Sequence, residues 1–205
     1  VAHSAKIAGA VGTLALVSIA VPAGVSFAGT DRRAPEPVSR PATSQQESFL
    51  GGPPQVPAAL QPPPDNTLQA VLKARGVQLY ECKRGMWEPL EPAASLTGIT
   101  MSPVKKVTAL HFRGPAWVSD QDGSMVEGAE PVAVPAVGAG NAPQLLYKSA
   151  KNRGGGLFGA VTYIQRIDTQ GGAAPARSCG GDQPIAVPYH AVYRFFSKKQ
   201  PAVVN

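Results

Sequence analysis

The chain is short of several things that functional motifs need. It has two cysteines and three histidines in 205 residues. That count excludes a disulfide-dense scaffold, and it leaves few ligands for a zinc site. Two of the histidines, His111 and His190, lie beyond the first thirty residues, so a catalytic triad in that part would have to use one of them. No G-x-S-x-G elbow is present to hold a serine nucleophile. Asp and Glu are scattered, without the pairing a glycosidase would need. Charged residues make up 16%, below the roughly 25% usual for soluble domains. The formal net charge of +6 is dispersed, with Lys pairs at Lys105-Lys106 and Lys198-Lys199. A nucleic-acid binder concentrates such charge on one face, so none is expected as a partner. No internal repeat and no long helical stripe between strands is evident, which disfavours a parallel α/β sheet.

What is abundant is glycine (22) and proline (21). Their distribution divides the chain. Lys6 precedes an uncharged run from Ile7 to Val21, and Ser26-Phe27-Ala28 offers a small-x-small cleavage pattern. This is the layout of a secretory signal peptide over residues 1–28, and its apolar run falls short of the ~20 residues that span a bilayer. The first cysteine is Cys82, so a lipid anchor at the cleavage point is not expected. Residues 29–64 hold nine prolines among Ser, Thr, Gln and Arg, and read as a disordered linker that cannot bury enough apolar surface to offset its ordering entropy. Composition changes at Asp65. Residues 65–198 read as one all-β domain, an antiparallel sandwich or barrel, and 199–205 as a tail. A secreted, extracellular or periplasmic location follows, with no membrane contact after cleavage.

Period-two alternation supplies the strands. Leu68, Ala70, Leu72 and Ala74 alternate, and Gly76 at a phase break suggests a bulge; a short helix over residues 67–75 is the competing assignment. Further strands are expected at residues 86–90, 107–113, 116–119, 125–129, 144–149, 160–167 and 191–196. Asp122-Gly123 marks a hairpin turn. On the strand through residue 111, apolar Leu110 and Phe112 suggest the core face, which puts His111 and Arg113 on the opposite, solvated face. His190 likewise lies opposite Tyr189, Ala191, Tyr193 and Phe195.

Cys82 and Cys179 read as a disulfide in an exported chain, closing a loop of about 100 residues worth on the order of 4 kcal/mol. The alternative is a zinc site adding His111 and His190, but the four lack the local spacing of structural zinc ligands, so no metal is assigned. Gly154 to Gly159 matches G-x-G-x-x-G, yet a strand rather than a helix follows it, so it reads as a flexible loop and no dinucleotide or other cofactor is implied. Asp120 to Ser124 resembles the start of a calcium loop without the later ligands, and reads as a turn. Trp87, Trp117, Tyr80, Tyr147, Tyr163, Tyr189 and Tyr193 could stack on a sugar ring, but such residues more often fill a small core.

Several stretches together resemble a family of exported bacterial and fungal proteins catalogued as domain of unknown function 3455. They are Gly76-Val77-Gln78 with Tyr80 and Cys82; His111-Phe112, Gly114-Pro115 and Trp117; Asp122-Gly123-Ser124; Ile164-Gln165-Arg166; Thr169 with Gly171-Gly172 and Pro175; and Cys179, then Val187-Pro188-Tyr189 with Ala191 and Tyr193. The resemblance implies export and a compact β domain, and it carries no activity. The expectation is therefore a secreted or cell-envelope binding module for an unidentified small molecule, glycan or protein. Its site would form if His111, Arg113, Trp117, Asp122 and Ser124 converge. The alternatives are a small extracellular hydrolase using His111 or His190 as base, and a purely structural envelope protein. The oligomeric state stays open.

Overall fold

A computed structural model describes residues 56–199. The expected signal peptide, residues 29–55 of the expected linker and residues 200–205 of the tail lie outside the described residues.

Eight antiparallel strands follow one another as a meander: β1 (Asn66–Lys83), β2 (Met86–Thr100), β3 (Lys106–Phe112), β4 (Ala116–Ser119), β5 (Met125–Val134), β6 (Gln144–Arg153), β7 (Val161–Gly171) and β8 (Ile185–Lys198). β8 pairs back onto β1, so the sheet closes into a barrel rather than a sandwich. Closure leaves no edge strand exposed to other chains. β1 is a strand along its whole length, which removes the helical alternative over residues 67–75.

Two glycines permit the tight coiling that closure needs. A Cβ on Gly98 would stand 2.0 Å from the Val71 carbonyl oxygen, and one on Gly76 would stand 2.1 Å from that of Ala93. Gly76 is thus a point of close backbone approach. The bulge expected there is not observed: the register runs through Gly76, and the irregularities fall between Leu79 and Tyr80 against β2 and between Leu68 and Ala70 against β8.

The interior of an eight-stranded barrel is just wide enough for packed side chains or one small ligand. Here β1, β2 and β3 contribute small residues, Ala70, Ala74, Ala94 and Ala109, which leave room for Trp117 of β4 and for Tyr189, Tyr193 and Phe195 of β8. The phase of β3 is the reverse of the one expected. Val107, Ala109 and His111 point inward, while Leu110 and Phe112 are 48% and 39% exposed. The larger apolar side chains are outside because the narrow interior, already filled by aromatics, takes alanine; an exposed leucine on a sheet is common. His190 is exposed, as its phase suggested.

A short 3-10 turn, Ala58–Leu60, packs outside the barrel. Leu60 is fully buried, and its carbonyl accepts a hydrogen bond from Gln165 Nε2 at 2.6 Å. The packed region therefore reaches back into the segment that composition marked as linker. Cys82 and Cys179 form the expected disulfide, with Cα atoms 5.7 Å apart, tying the end of β1 to the loop before β8.

Candidate functional site

The meander sends alternate connections to opposite ends of the barrel, and the two ends differ. At the end where β3 begins, the turn after β4 meets the glycine loop after β6. Asp122 accepts hydrogen bonds from the backbone N–H of Ser124 (2.9 Å) and of Leu157 (2.9 Å). The buried Ser124 hydroxyl accepts one from Phe158 N–H at 2.9 Å. Asn152 Nδ2 donates to the carbonyls of Phe158 and Val161. These bonds seat Leu157 and Phe158 as a plug, the Phe158 ring lying 4.7 Å from that of Phe195. Gly156 has φ +75°, and a Cβ there would stand 2.2 Å from Asp122 Oδ2. The slight burial of Asp122 works against its charge, but the hydrogen bonds from Ser124 and Leu157 outweigh it and hold the carboxyl below the ordinary carboxylate value.

The opposite end is open. Between the end of β1, the start of β2, the β3–β4 turn and the facing ends of β6 and β7 lies a cavity of about 480 Å³. Its walls are largely proline and leucine: Pro89, Leu90, Pro92, Pro115, Pro143 and Leu145. Into it face Gln78, Tyr80, His111, Tyr147 and Arg166, with Glu91 and Arg113 among the remaining lining residues. Buried apolar walls with a few convergent polar groups are the usual form of a small-ligand site.

Arg166 is the central feature. It alternates in phase with inward Ile164 on β7 and is 7% exposed. Its Nε and Nη2 donate to the Pro143 carbonyl at 3.1 and 2.9 Å. Among the described residues no carboxylate forms an ion pair with it. The Tyr193 hydroxyl also hydrogen-bonds the guanidinium, and the hydroxyls of Tyr147 and Tyr189 lie within its electrostatic range. Burial pushes the Tyr147 phenol up to about 12, the Arg166 charge opposing, and pushes Tyr193 well above its ordinary value, so both stay protonated. The Gln78 amide lies beside the Tyr189 hydroxyl, with Nε2 buried and lacking a hydrogen bond of good geometry.

His111 is 3% exposed and stacks flat on Trp117, centroids 4.4 Å apart and planes 3° from parallel. Tyr193 meets its ring edge-on at 5.2 Å. Nδ1 lies 2.9 Å from the Ala116 carbonyl, which can only accept, so the ring proton sits on Nδ1 and Nε2 is the bare nitrogen. Burial, opposed by that hydrogen bond and reinforced by the Arg166 charge, lowers His111 to about 3. The imidazole is neutral across the physiological range. At the rim, Arg113 pairs with Glu91 at 3.0 Å; the Arg113 side chain is 66% exposed.

The five residues expected to form one site are thus split. His111 and Arg113 line the mouth, Trp117 supports His111 from the core, and Asp122 and Ser124 clamp the plug at the other end. The convergence expected of all five is corrected: successive hairpin turns of a meander fall at opposite ends. Sequence reasoning missed Arg166, whose signal was an arginine in phase with isoleucine on a strand rich in β-branched and aromatic residues. His190 lies on an outer surface groove with Asp168 and Lys73, away from the cavity. The disulfide occupies both sulfurs that the zinc alternative needed. The glycine loop leads into β7 and so offers no helix N-terminus for a pyrophosphate.

A family model described as "Protein of unknown function (DUF3455)" matches residues 63–197. No curated protein and no solved structure matches the chain.

Proposed function

The chain belongs to the DUF3455 family of proteins of unknown function, and from that premise we propose that it is an exported binding protein whose barrel mouth takes a small ligand. The observation that carries this reading is the difference between the two ends. One is sealed by Leu157 and Phe158; the other opens on a walled cavity that collects Arg166, His111, Gln78 and two tyrosines. A purely structural envelope protein would have no use for convergent buried polar groups, which cost stability unless they are satisfied. The Cys82–Cys179 disulfide supports export, since such bonds persist in oxidising compartments.

The hydrolase reading draws less support. His111 has a bare Nε2, but a group held near 3 is a weak base at neutral pH. Among the described residues no Ser or Cys lines the cavity beside it as nucleophile, and a carbonyl rather than a carboxylate orients its ring. Native mass spectrometry of protein recovered from an exporting host tests the binding proposal. A small-molecule adduct that denaturation releases, and that a cavity-filling Leu145→Trp variant lacks, supports it. An adduct retained in full by Leu145→Trp would place the ligand elsewhere and contradict it.

A further inference from the structure

We infer that the ligand of this cavity is a small carboxylic acid with an apolar body, its carboxylate held by Arg166. The inference rests on the binding reading above and adds the ligand's class. A guanidinium is charged at every accessible pH. Taking it out of water without a counter-ion is costly, and native structures normally supply one. Here the carbonyl of Pro143 takes two donors, and the Tyr193 hydroxyl, which also hydrogen-bonds the guanidinium, and that of Tyr147 are neutral, so none of these partners offsets the charge. Of the charged side chains lining the cavity, Glu91 is already paired with Arg113, and Arg166 remains, so the lining carries a net charge of +1 from two Arg and one Glu. His111, kept neutral by its surroundings, neither adds to nor offsets this charge. An anion entering the mouth would supply the missing partner.

The form of the site selects among anions. With its Nε and Nη2 donating to Pro143, Arg166 offers its remaining N–H donors and one positive charge, which suits a singly charged carboxylate; a phosphate dianion would leave one charge uncompensated. Beyond the guanidinium the walls are proline and leucine, which favour a hydrocarbon or aromatic body over a hydrated one. A volume of about 480 Å³ admits a molecule of aromatic-acid or medium-chain-acid size. His111 Nε2, with no partner among the described residues, can accept a hydrogen bond from a hydroxyl on that body.

The test is calorimetric titration of the full chain with acetate, benzoate and octanoate, each paired with its neutral amide. At least one acid is expected to bind on the order of tenfold more tightly than its amide. That preference should collapse in Arg166→Gln and persist in Arg153→Gln, an exposed arginine near the sealed end. Because Arg166→Gln can fail to fold, the Arg166 Nε–H resonance in the unaltered protein gives a second readout: it should shift with the acid and not with the amide. Acid and amide binding equally in the mouth, with that resonance unmoved, would leave the binding reading standing and overturn the carboxylate. Absence of binding by every acid and amide at tens of millimolar would overturn both.

Discussion

His111 makes folding stability depend on pH in a direction set by its burial. In the unfolded chain its imidazole titrates at the ordinary value of 6.5; in the folded barrel it is lowered to about 3. Between those values the unfolded state binds the proton and the folded state refuses it, so stability rises with pH. The contribution is fully present above 6.5 and is lost as pH falls toward 3. Each unit is worth about 1.4 kcal/mol, so acidification to pH 5 should cost about 2 kcal/mol, and the full gap sets a ceiling of about 5 kcal/mol. Urea denaturation followed by Trp fluorescence at pH 7.5 and 5.0 measures this. His111→Gln keeps a donor for the Ala116 carbonyl and removes the titration, so its loss between the two pH values should be smaller than the parent's by about 2 kcal/mol. Subtracting the variant's profile removes the carboxylates, including Asp122, whose lowered value gives stability that is present above 3.8 and lost as pH falls further. Parallel profiles for parent and variant, or an His111 C2–H resonance titrating near 6.5, would refute the reasoning.

Asp122→Ala removes the acceptor for two backbone N–H groups and should destabilise by about 1–3 kcal/mol; amide exchange should accelerate over residues 154–159 and leave the mouth unchanged. Cys82→Ser with Cys179→Ser should cost about 2–5 kcal/mol, read from the denaturation midpoint, because the bridge joins positions 97 residues apart.

The strands were legible where side chains report their surroundings. Tyr189, Ala191 and Tyr193 alternate with exposed or half-buried neighbours, and β7 is rich in β-branched and aromatic residues. The second half of β2 was not legible: the strand expected at residues 86–90 runs on to Thr100, where Pro92, Ala93 and Gly98 pair with Gln78, Val77 and Leu72 of β1. Their smallness serves the close approach of coiled strands, a demand that exists only once the barrel closes. The same closure hid the site. Arg166 was visible as a charge between Ile164 and Ile167, but its lack of an acidic partner depends on what β1, β6 and β8 bring opposite it. His111 was named as a candidate with its face reversed, since local apolarity favours Leu110 and Phe112 while the interior already holds Trp117 and Tyr193. Asp122 and Ser124 were recognisable as a turn; their bonds to Leu157 and Phe158, some 35 residues on, were beyond any local pattern.

The most direct test of the open-mouth site is a map of amide shifts in the ¹⁵N-labelled protein, titrated with a mixture of small aromatic and aliphatic acids. The account predicts shifts gathered at Tyr80, Glu91, His111, Tyr147 and Arg166, with Gly154 to Gly159 at the sealed end unmoved. Shifts centred on the sealed end or on the outer groove at His190, with the mouth silent, would contradict it.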